Sequence, residues 1–404
     1  MCLEKKEYLN NLYNQIADEL SISDTMVEKA INSYKAVGKW LGDCEPNLDV
    51  KIMPQGSFNL GTVIKPLSDS DEDYDIDLVC LLKNGYCLNN SEIKNIVGRR
   101  LKENIKYRSM LEEEGKRCWT LNYDEFHMDI LPSVPKERFF QEPNNTELRL
   151  THKLSSNTYI PKYSNPYKYH SWFEERMKNA LLNEKKKYSI RNKVEIDKVS
   201  TYKVKTPLQK AIQLLKRHRD IMFEKENSED APISIIITTL AGLSYNDEIN
   251  LYDAIRNIVN KMPQHIKIDS QGKYYINNPV MPEENFADKW NESYNKVKCF
   301  NMWITKVKED IINNPLSING VVELGNLMKN TFGKTITERA YNKIAKKVEN
   351  ERKNNNLYIN GLDKGLSNKK DNNSKLIGGH TFFWKIKQDI LKCHQFLWLN
   401  KSFY

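Results

Sequence analysis

Residues 74–82, Tyr-Asp-Ile-Asp-Leu-Val-Cys-Leu-Leu, constrain this chain more than any other segment. Their alternation gives way to an unbroken apolar run, the pattern of a half-buried strand that becomes fully buried. Side chains two apart on a strand share a face, so Asp75 and Asp77 point together while Tyr74, Ile76 and Leu78 face the core. Two carboxylates about 6.5–7 Å apart repel each other and lift one pKa unless a cation sits between them. The strand ends an acidic run: six of the nine residues 69–77 are Asp or Glu. The chain as a whole is basic, with 62 Lys and Arg against 53 Asp and Glu and a net charge of +9. A solvated acidic loop is the competing reading. The direct continuation into an apolar strand leaves the two readings evenly balanced at this point.

A third carboxylate tips the balance. In Phe126-His127-Met128-Asp129-Ile130-Leu131-Pro132, Asp129 stands on a second predicted strand, with Met128 and Ile130 on the opposite face. A lone strand Asp is usually a hydrogen-bonded structural residue. A third Asp beside an Asp-x-Asp strand is what a two-metal site needs. Mg²⁺ suits such a site, because it takes one or two carboxylates together with substrate phosphates and water. Two ions are expected, with Mn²⁺ as an alternative. Asp73 shares the phase nearer the loop and is an accessory candidate. Upstream lies Gln55-Gly56-Ser57-Phe58-Asn59-Leu60-Gly61-Thr62, where Gly56 and Gly61 let backbone approach phosphate oxygens and Ser57 can hydrogen-bond one. Such a Gly-Ser pair alone is an ordinary turn. Followed eighteen residues after Ser57 by Asp-x-Asp, and then by a strand Asp, it is a much stronger joint signal.

The length of 404 residues predicts two or three domains and a sizeable core. Leu9, Leu12, Tyr13, Ile16 and Leu20 are spaced helically, and Ser23 or Asp24 caps a second helix. Residues 91–111 read as one helix. Residues 118–123 and 126–131 read as two strands joined at Asp124-Glu125, the second stopped by Pro132 and Pro135. The polar span 141–169 reads as a long loop or lid, and 172–187 as a helix. Beyond Val204 the pattern is almost entirely helical, over 207–223, 233–245, 251–261, 285–313, 321–330 and 337–353. An Asn/Lys-rich linker near 354–373 and a last helix over 382–399 complete the expected organisation: a core in 1–200 with N-terminal helices, then a helical domain in 201–404. Seven scattered cysteines include no Cys-x2–4-Cys pair, which argues against a zinc ribbon. No apolar run reaches the length of a membrane helix and no signal-peptide pattern opens the chain, so a cytoplasmic protein without membrane contact is expected.

These motifs resemble the polymerase-β type of nucleotidyltransferase, and most closely its cGAS/DncV-like bacterial branch, the CD-NTases of anti-phage CBASS systems. The resemblance rests on the Gly56-Ser57, Asp75-Ile76-Asp77 and Asp129 motifs. Leu214-Leu215-Lys216-Arg217-His218-Arg219-Asp220, Pro232-Ile233-Ser234 and His380-Thr381-Phe382-Phe383 add to it. It implies an α+β fold: a mixed-sheet nucleotidyltransferase core packed against a C-terminal helical domain, with the active site in the cleft between. It also implies metal ligation by Asp75, Asp77 and Asp129, phosphate contacts from Ser57, Gly56 and Gln55, and triphosphate contacts from Lys216 and Ser234. On spacing alone, Lys216 sits at the edge of a buried stripe, whereas a cluster such as Lys216, Arg217 and Arg219 is more often a solvated face.

The expected reaction is template-independent. A ribose hydroxyl attacks the α-phosphate of a nucleoside triphosphate, pyrophosphate leaves, and a second attack closes a cyclic di- or trinucleotide. Nucleoside triphosphates are the expected partners, ATP or GTP supplying at least one purine. The resemblance implies that the product acts on a separate CBASS effector. The zinc-bearing DNA-binding insertion of the animal sensor is missing, which argues against an obligate DNA activator. A transferase making linear products, an RNA-tailing or oligoadenylate enzyme, shares the same core. A catalytically inactive nucleotide sensor is the reading from another class, and the presence of all three aspartates speaks against it.

Overall fold

A computed structural model describes residues 2–43, 46–67, 74–155, 157–225, 228–359, 366–367, 370 and 374–377. The predicted helix over 382–399, the His380 motif and Asp73 lie outside the described residues. The described residues form two compact units: Leu20–Lys308, and the N-terminal segment to Glu19 together with the described residues from Glu309 onward.

The larger unit is built on one mixed sheet. After α1 (Cys2–Leu20) and α2 (Asp24–Gly42) come β1 (Val50–Gln55), the single turn α3 (Gly56–Asn59) and β2 (Tyr74–Leu82). Ser23 caps α2 by accepting from the Met26 amide. Helices α4 (Asn90–Glu103) and α5 (Ile105–Met110) precede β3 (Trp119–Asn122), β4 (Phe126–Pro135), β5 (Leu148–Ser155) and β6 (Thr158–Ser164). The strand order is β1-β2-β4-β5-β6, with β3 paired to β4. Strands β2 and β4 are parallel, and the other pairs are antiparallel.

Burial along β2 follows the period of two. Ile76, Leu78 and Cys80 join Met128, Ile130 and Val134 of β4 in a core closed by Ala30, Val37 and Leu41 of α2 and by Ile93, Val97 and Leu101 of α4. Val79 and Leu81 point the other way, into a small cluster with Met53 and Leu148. Asp75 and Asp77 share that second face and stand beyond its apolar cover.

Several elements differ from the sequence expectation. The span 141–169 is no simple loop: it holds the hairpin β5–β6 and the start of α6 (Pro166–Arg176). Leu148 and Leu150 alternate inward, while the polar β6 with Pro161 is the edge strand, where a missing amide is tolerated. Pro132 does not stop β4. It sits where β4 changes partners, β3 ending opposite Ile130 and β5 beginning opposite Ser133. The helix expected over 172–187 is two helices, α6 and α7 (Lys178–Asn192), separated at Met177.

Helices α8 (Pro207–Met222), α9 (Ser234–Ser244), α10 (Leu251–Lys261) and α11 (Tyr294–Val307) complete the unit, with two small ladders, β7 (Lys267–Ile268) with β8 (Tyr274–Tyr275) and β9 (Asn277–Asn278) with β10 (Met281–Asn285). The helix expected over 285–313 is thus shortened by β10 at one end, and at the other it becomes a π-helical turn over Lys308–Asn313. Thr206 and Gln209 form a capping box at the start of α8.

In the smaller unit, the buried stripe Leu9, Leu12, Tyr13 and Ile16 of α1 is joined by α12 (Asn314–Ser317), α13 (Val321–Phe332) and α14 (Lys334–Lys353). Tyr13 donates to the Ile311 carbonyl at 2.6 Å and meets the Phe332 ring edge-on. Part of the expected linker, Tyr358–Ile359 and Leu366–Ser367 with Lys375–Leu376, forms a small three-stranded sheet.

The helix expected over 91–111 breaks at Asn104, whose side chain accepts from the Lys106 and Tyr107 amides at 3.0 and 3.2 Å and so opens α5. Asn104→Ala removes that cap and is expected to cost about 1 kcal/mol in urea unfolding. Turnover should be unaffected; an unchanged unfolding midpoint would show that the break has another cause.

Candidate active site

The parallel register of β2 and β4 sets Asp77 beside Asp129 and Asp75 beside His127. The spacing of neighbouring strands, about 4.8 Å, makes Asp77 and Asp129 immediate neighbours on one face. Asp75, with a side chain 74% exposed, lies 3.7 Å from His127 Nδ1. Burial lifts the Asp77 carboxyl to about 6, and the charges of Asp129 and Asp75 add to the lift; Lys216 works against it. Asp129 is oriented by Thr120 of β3, whose hydroxyl donates to Oδ1 at 2.5 Å. The sequence reading missed Thr120. The signal was present, since Trp119 and Leu121 alternate inward and so place Thr120 on the carboxylate face.

The turn after β1 abuts this face. Gln55 pairs in register with Asp77, and its side chain makes no cap bond to α3. Gly56 has φ +61, and a Cβ there would lie 2.1 Å from Asp77 Oδ2. Only glycine fits, on both conformational and steric grounds. Ser57 is the next residue of α3, and its carbonyl accepts from the Thr62 amide at 2.9 Å.

Helix α8 brings the cation. Lys216 is 4% exposed and donates from Nζ to the Thr62 carbonyl at 3.2 Å. Burial pulls it down to about 8, reinforced by Arg219 and opposed by Asp220, Asp77 and Asp75. Arg217 is buried too, donating to the Lys65 and Pro66 carbonyls at 2.6 and 3.1 Å. The basic cluster is therefore not a solvated face, since both side chains have backbone carbonyls to serve as partners. Ser234 opens α9, and its Oγ accepts from Arg219 Nη1 at 3.3 Å. Arg219 also pairs with Asp220 at 2.6 Å. Lys216 thus stands between the acidic pair Asp75 and Asp77 and the Arg219–Asp220 pair that holds Ser234.

The donor set is all carboxylate, the hard oxygen chemistry that divalent cations such as Mg²⁺ take. Burial is the larger cause of the raised Asp77 and the charges of Asp129 and Asp75 the smaller, and a bound cation would offset both. Among the described residues no three His, Cys, Asp or Glu side chains close into a ready-made ligand cluster. A cation on Asp75, Asp77 and Asp129 would therefore complete its shell with water and substrate oxygens. No described helix is long and apolar enough to cross a membrane.

The chain is similar to known proteins in sequence and in fold. Residues 50–132 match the family described as cyclic GMP-AMP synthase DncV-like, nucleotidyltransferase domain. A c-di-GMP synthase of Roseivirga ehrenbergii is 31% identical over 361 residues, covering 88% of this chain and 92% of that protein. The cyclic dinucleotide synthase CdnG of Bradyrhizobium diazoefficiens is 24% identical over 307 residues, covering 70% of this chain and 71% of that one. The solved structure of B. diazoefficiens CdnG in complex with GTP superposes with a TM-score of 0.66 at 20% identity, covering 83% of this chain and 99% of that one, and so shares the fold. With its Gly-Ser turn, paired-strand carboxylates and mixed sheet, the chain belongs to the CD-NTase family of nucleotidyltransferases.

Proposed function

We propose that the chain condenses two nucleoside triphosphates into a cyclic dinucleotide, with Asp75, Asp77 and Asp129 as the catalytic carboxylates. The observation that carries the reading is the register match of Asp77 with Asp129 beside the buried Lys216 ammonium. One relative is a c-di-GMP synthase and another was solved in complex with GTP, which supports GTP as one substrate. In the wider reading, the product acts on a separate effector protein of an anti-phage system.

Asp75, Asp77 and Asp129 would hold the divalent ions, which supply Lewis-acid charge at the attacked phosphate and lower the pKa of the attacking hydroxyl. Thr120 engages Asp129 Oδ1, and Asp129 is the proton acceptor for the attacking ribose hydroxyl. The new oxygen–phosphorus bond forms at the α-phosphate as the bond to pyrophosphate breaks. Lys216 and Ser57 hold the departing phosphates from opposite elements, and Gly56 leaves the space in front of Asp77 clear. Gln55 and Ser234 flank the same phosphates. A second attack, by the hydroxyl of the other nucleotide, closes the ring.

Incubation with the four NTPs and Mg²⁺ or Mn²⁺, then phosphatase and mass spectrometry, should reveal a phosphatase-resistant cyclic dinucleotide containing guanine. A purely linear product would sink the cyclisation, and no pyrophosphate release from any NTP mixture would sink the transferase reading. Asp77→Asn should abolish turnover yet stabilise the metal-free fold. The carboxyl ionises ordinarily near 3.8 and is held at about 6, so the folded chain binds this proton more tightly than the unfolded chain does. The cost of ionisation is absent below about pH 4, grows from there to about 6, and is complete above it, about 3 kcal/mol. Asp77→Asn should raise Tm at pH 8 by about 3 °C, with the gain vanishing toward pH 4.

The free enzyme's kcat/KM should fall above about pH 8 as Lys216 loses its proton. In Lys216→Arg the alkaline limb should disappear, because a guanidinium stays charged. An unchanged alkaline limb in that variant would remove Lys216 from the role.

A further inference from the structure

The segment from Leu60 to Pro66, between the Gly-Ser turn and the approach to β2, belongs to no strand. Its carbonyls still need partners, and helix α8 with Lys205, two residues before it, supplies them as side chains. Gln209 Nε2 donates to the Leu60 carbonyl at 2.9 Å. Lys205 donates to that of Gly61 at 2.8 Å, Lys216 to that of Thr62 at 3.2 Å, and Gln213 Nε2 to that of Val63 at 2.7 Å. Arg217 serves Lys65 and Pro66.

The match is geometric. A helix rises about 1.5 Å per residue and an extended chain about 3.3 Å, so four helix residues span about two extended ones. Gln213 and Arg217, four apart, accordingly meet Val63 and Lys65, two apart, while Gln209 meets Leu60 across the turn at Gly61. Gly61 has φ +67, which favours glycine, and a Cβ on it would lie 2.6 Å from Gln209 Nε2 and push that amide aside.

We infer that Gln209 and Gln213 are positioning residues for the triphosphate: they bind the segment that follows Ser57 to the helix that carries Lys216, so that both phosphate contacts are set before substrate arrives. Neither glutamine touches the phosphates. Each acts through the carbonyl it holds, on a segment that would otherwise be ordered only at the expense of binding. Gln213 is wholly buried and anchored from behind by Ser21 at 3.1 Å. Gln209 is fixed by its bonds from Thr206. The inference rests on the proposed assignment of Ser57 and Lys216 to the phosphates.

The test compares Gln213→Met, which keeps the shape and removes the donor, with Gln209→Glu, which keeps the acceptor for Thr206 and removes the donor to Leu60. Binding of a non-hydrolysable GTP analogue and of GMP is measured alongside Tm and the KM and kcat of the full chain. Both variants should weaken the triphosphate by about tenfold, the scale of losses when a ligand's support is removed. KM should rise in step and GMP affinity stay within about twofold. In a Lys216→Met background, Gln213→Met should add almost nothing, because the two act through one arrangement. Equal loss of GMP and triphosphate binding, no loss of either, or full additivity with Lys216→Met would overturn the inference. A wild-type chain that binds GTP no more tightly than GMP would instead bring down the phosphate site itself.

Discussion

The parallel pairing of β2 with β4 is the constraint on which the site depends, because it forces two carboxylates side by side. The opposite face of the same strands holds that register. Ile76 and Leu78 are locked against Met128 and Ile130 under α2 and α4. A slip by one residue would turn the aspartates into that core and the aliphatic side chains out of it. Each buried aliphatic contributes roughly 1.5–3 kcal/mol, so these four together outweigh the cost, about 3 kcal/mol, of ionised Asp77. The core can thus impose the repulsion and leave it for a cation and its ligand to relieve.

Helix α8 solves the complementary problem of holding a buried cation. Burial moves Lys216 downward and Asp77 upward, and each group lies among the charges that oppose the other's shift. Between about pH 6 and 8 both are charged. Removing either therefore leaves the other worse placed, which ties the helix to the sheet through electrostatics as well as packing. One side of α8 carries Leu208, Ala211, Ile212 and Leu215 into the apolar interior. The other side carries the polar stripe that stands in for a neighbouring strand.

Legibility from sequence followed the range of the forces involved. The alternation at 74–82 gave the carboxylate face directly, because strand phase is a local property. The same rule placed Asp129, and it could have placed Thr120, whose neighbours alternate as plainly. Ser23 as a cap and the stripe on α1 were equally local. The hairpin β5–β6 was not legible, since its edge strand is polar and carries Pro161 and only the sheet beside it makes it a strand. Nor was the break at Asn104, where one side chain competes with an otherwise continuous helical pattern. The burial of Lys216 and Arg217 was hidden for a different reason: their partners are backbone carbonyls some 150 residues earlier in the chain, and a carbonyl leaves no mark in a sequence.

That choice of partner also explains how a site rich in acids can admit a polyanion. A carboxylate partner would neutralise a lysine or arginine, whereas a carbonyl satisfies its N–H groups and leaves its charge in place. Lys216 and Arg217 are both held through carbonyls, so both charges stay on α8, and that of Lys216 acts on Asp75 and Asp77. The net charge of +9 says only that cations are in excess. Their arrangement says what they are for: carboxylates on the sheet to receive metal, and a helix whose buried cations remain electrically available to the phosphates that arrive with it.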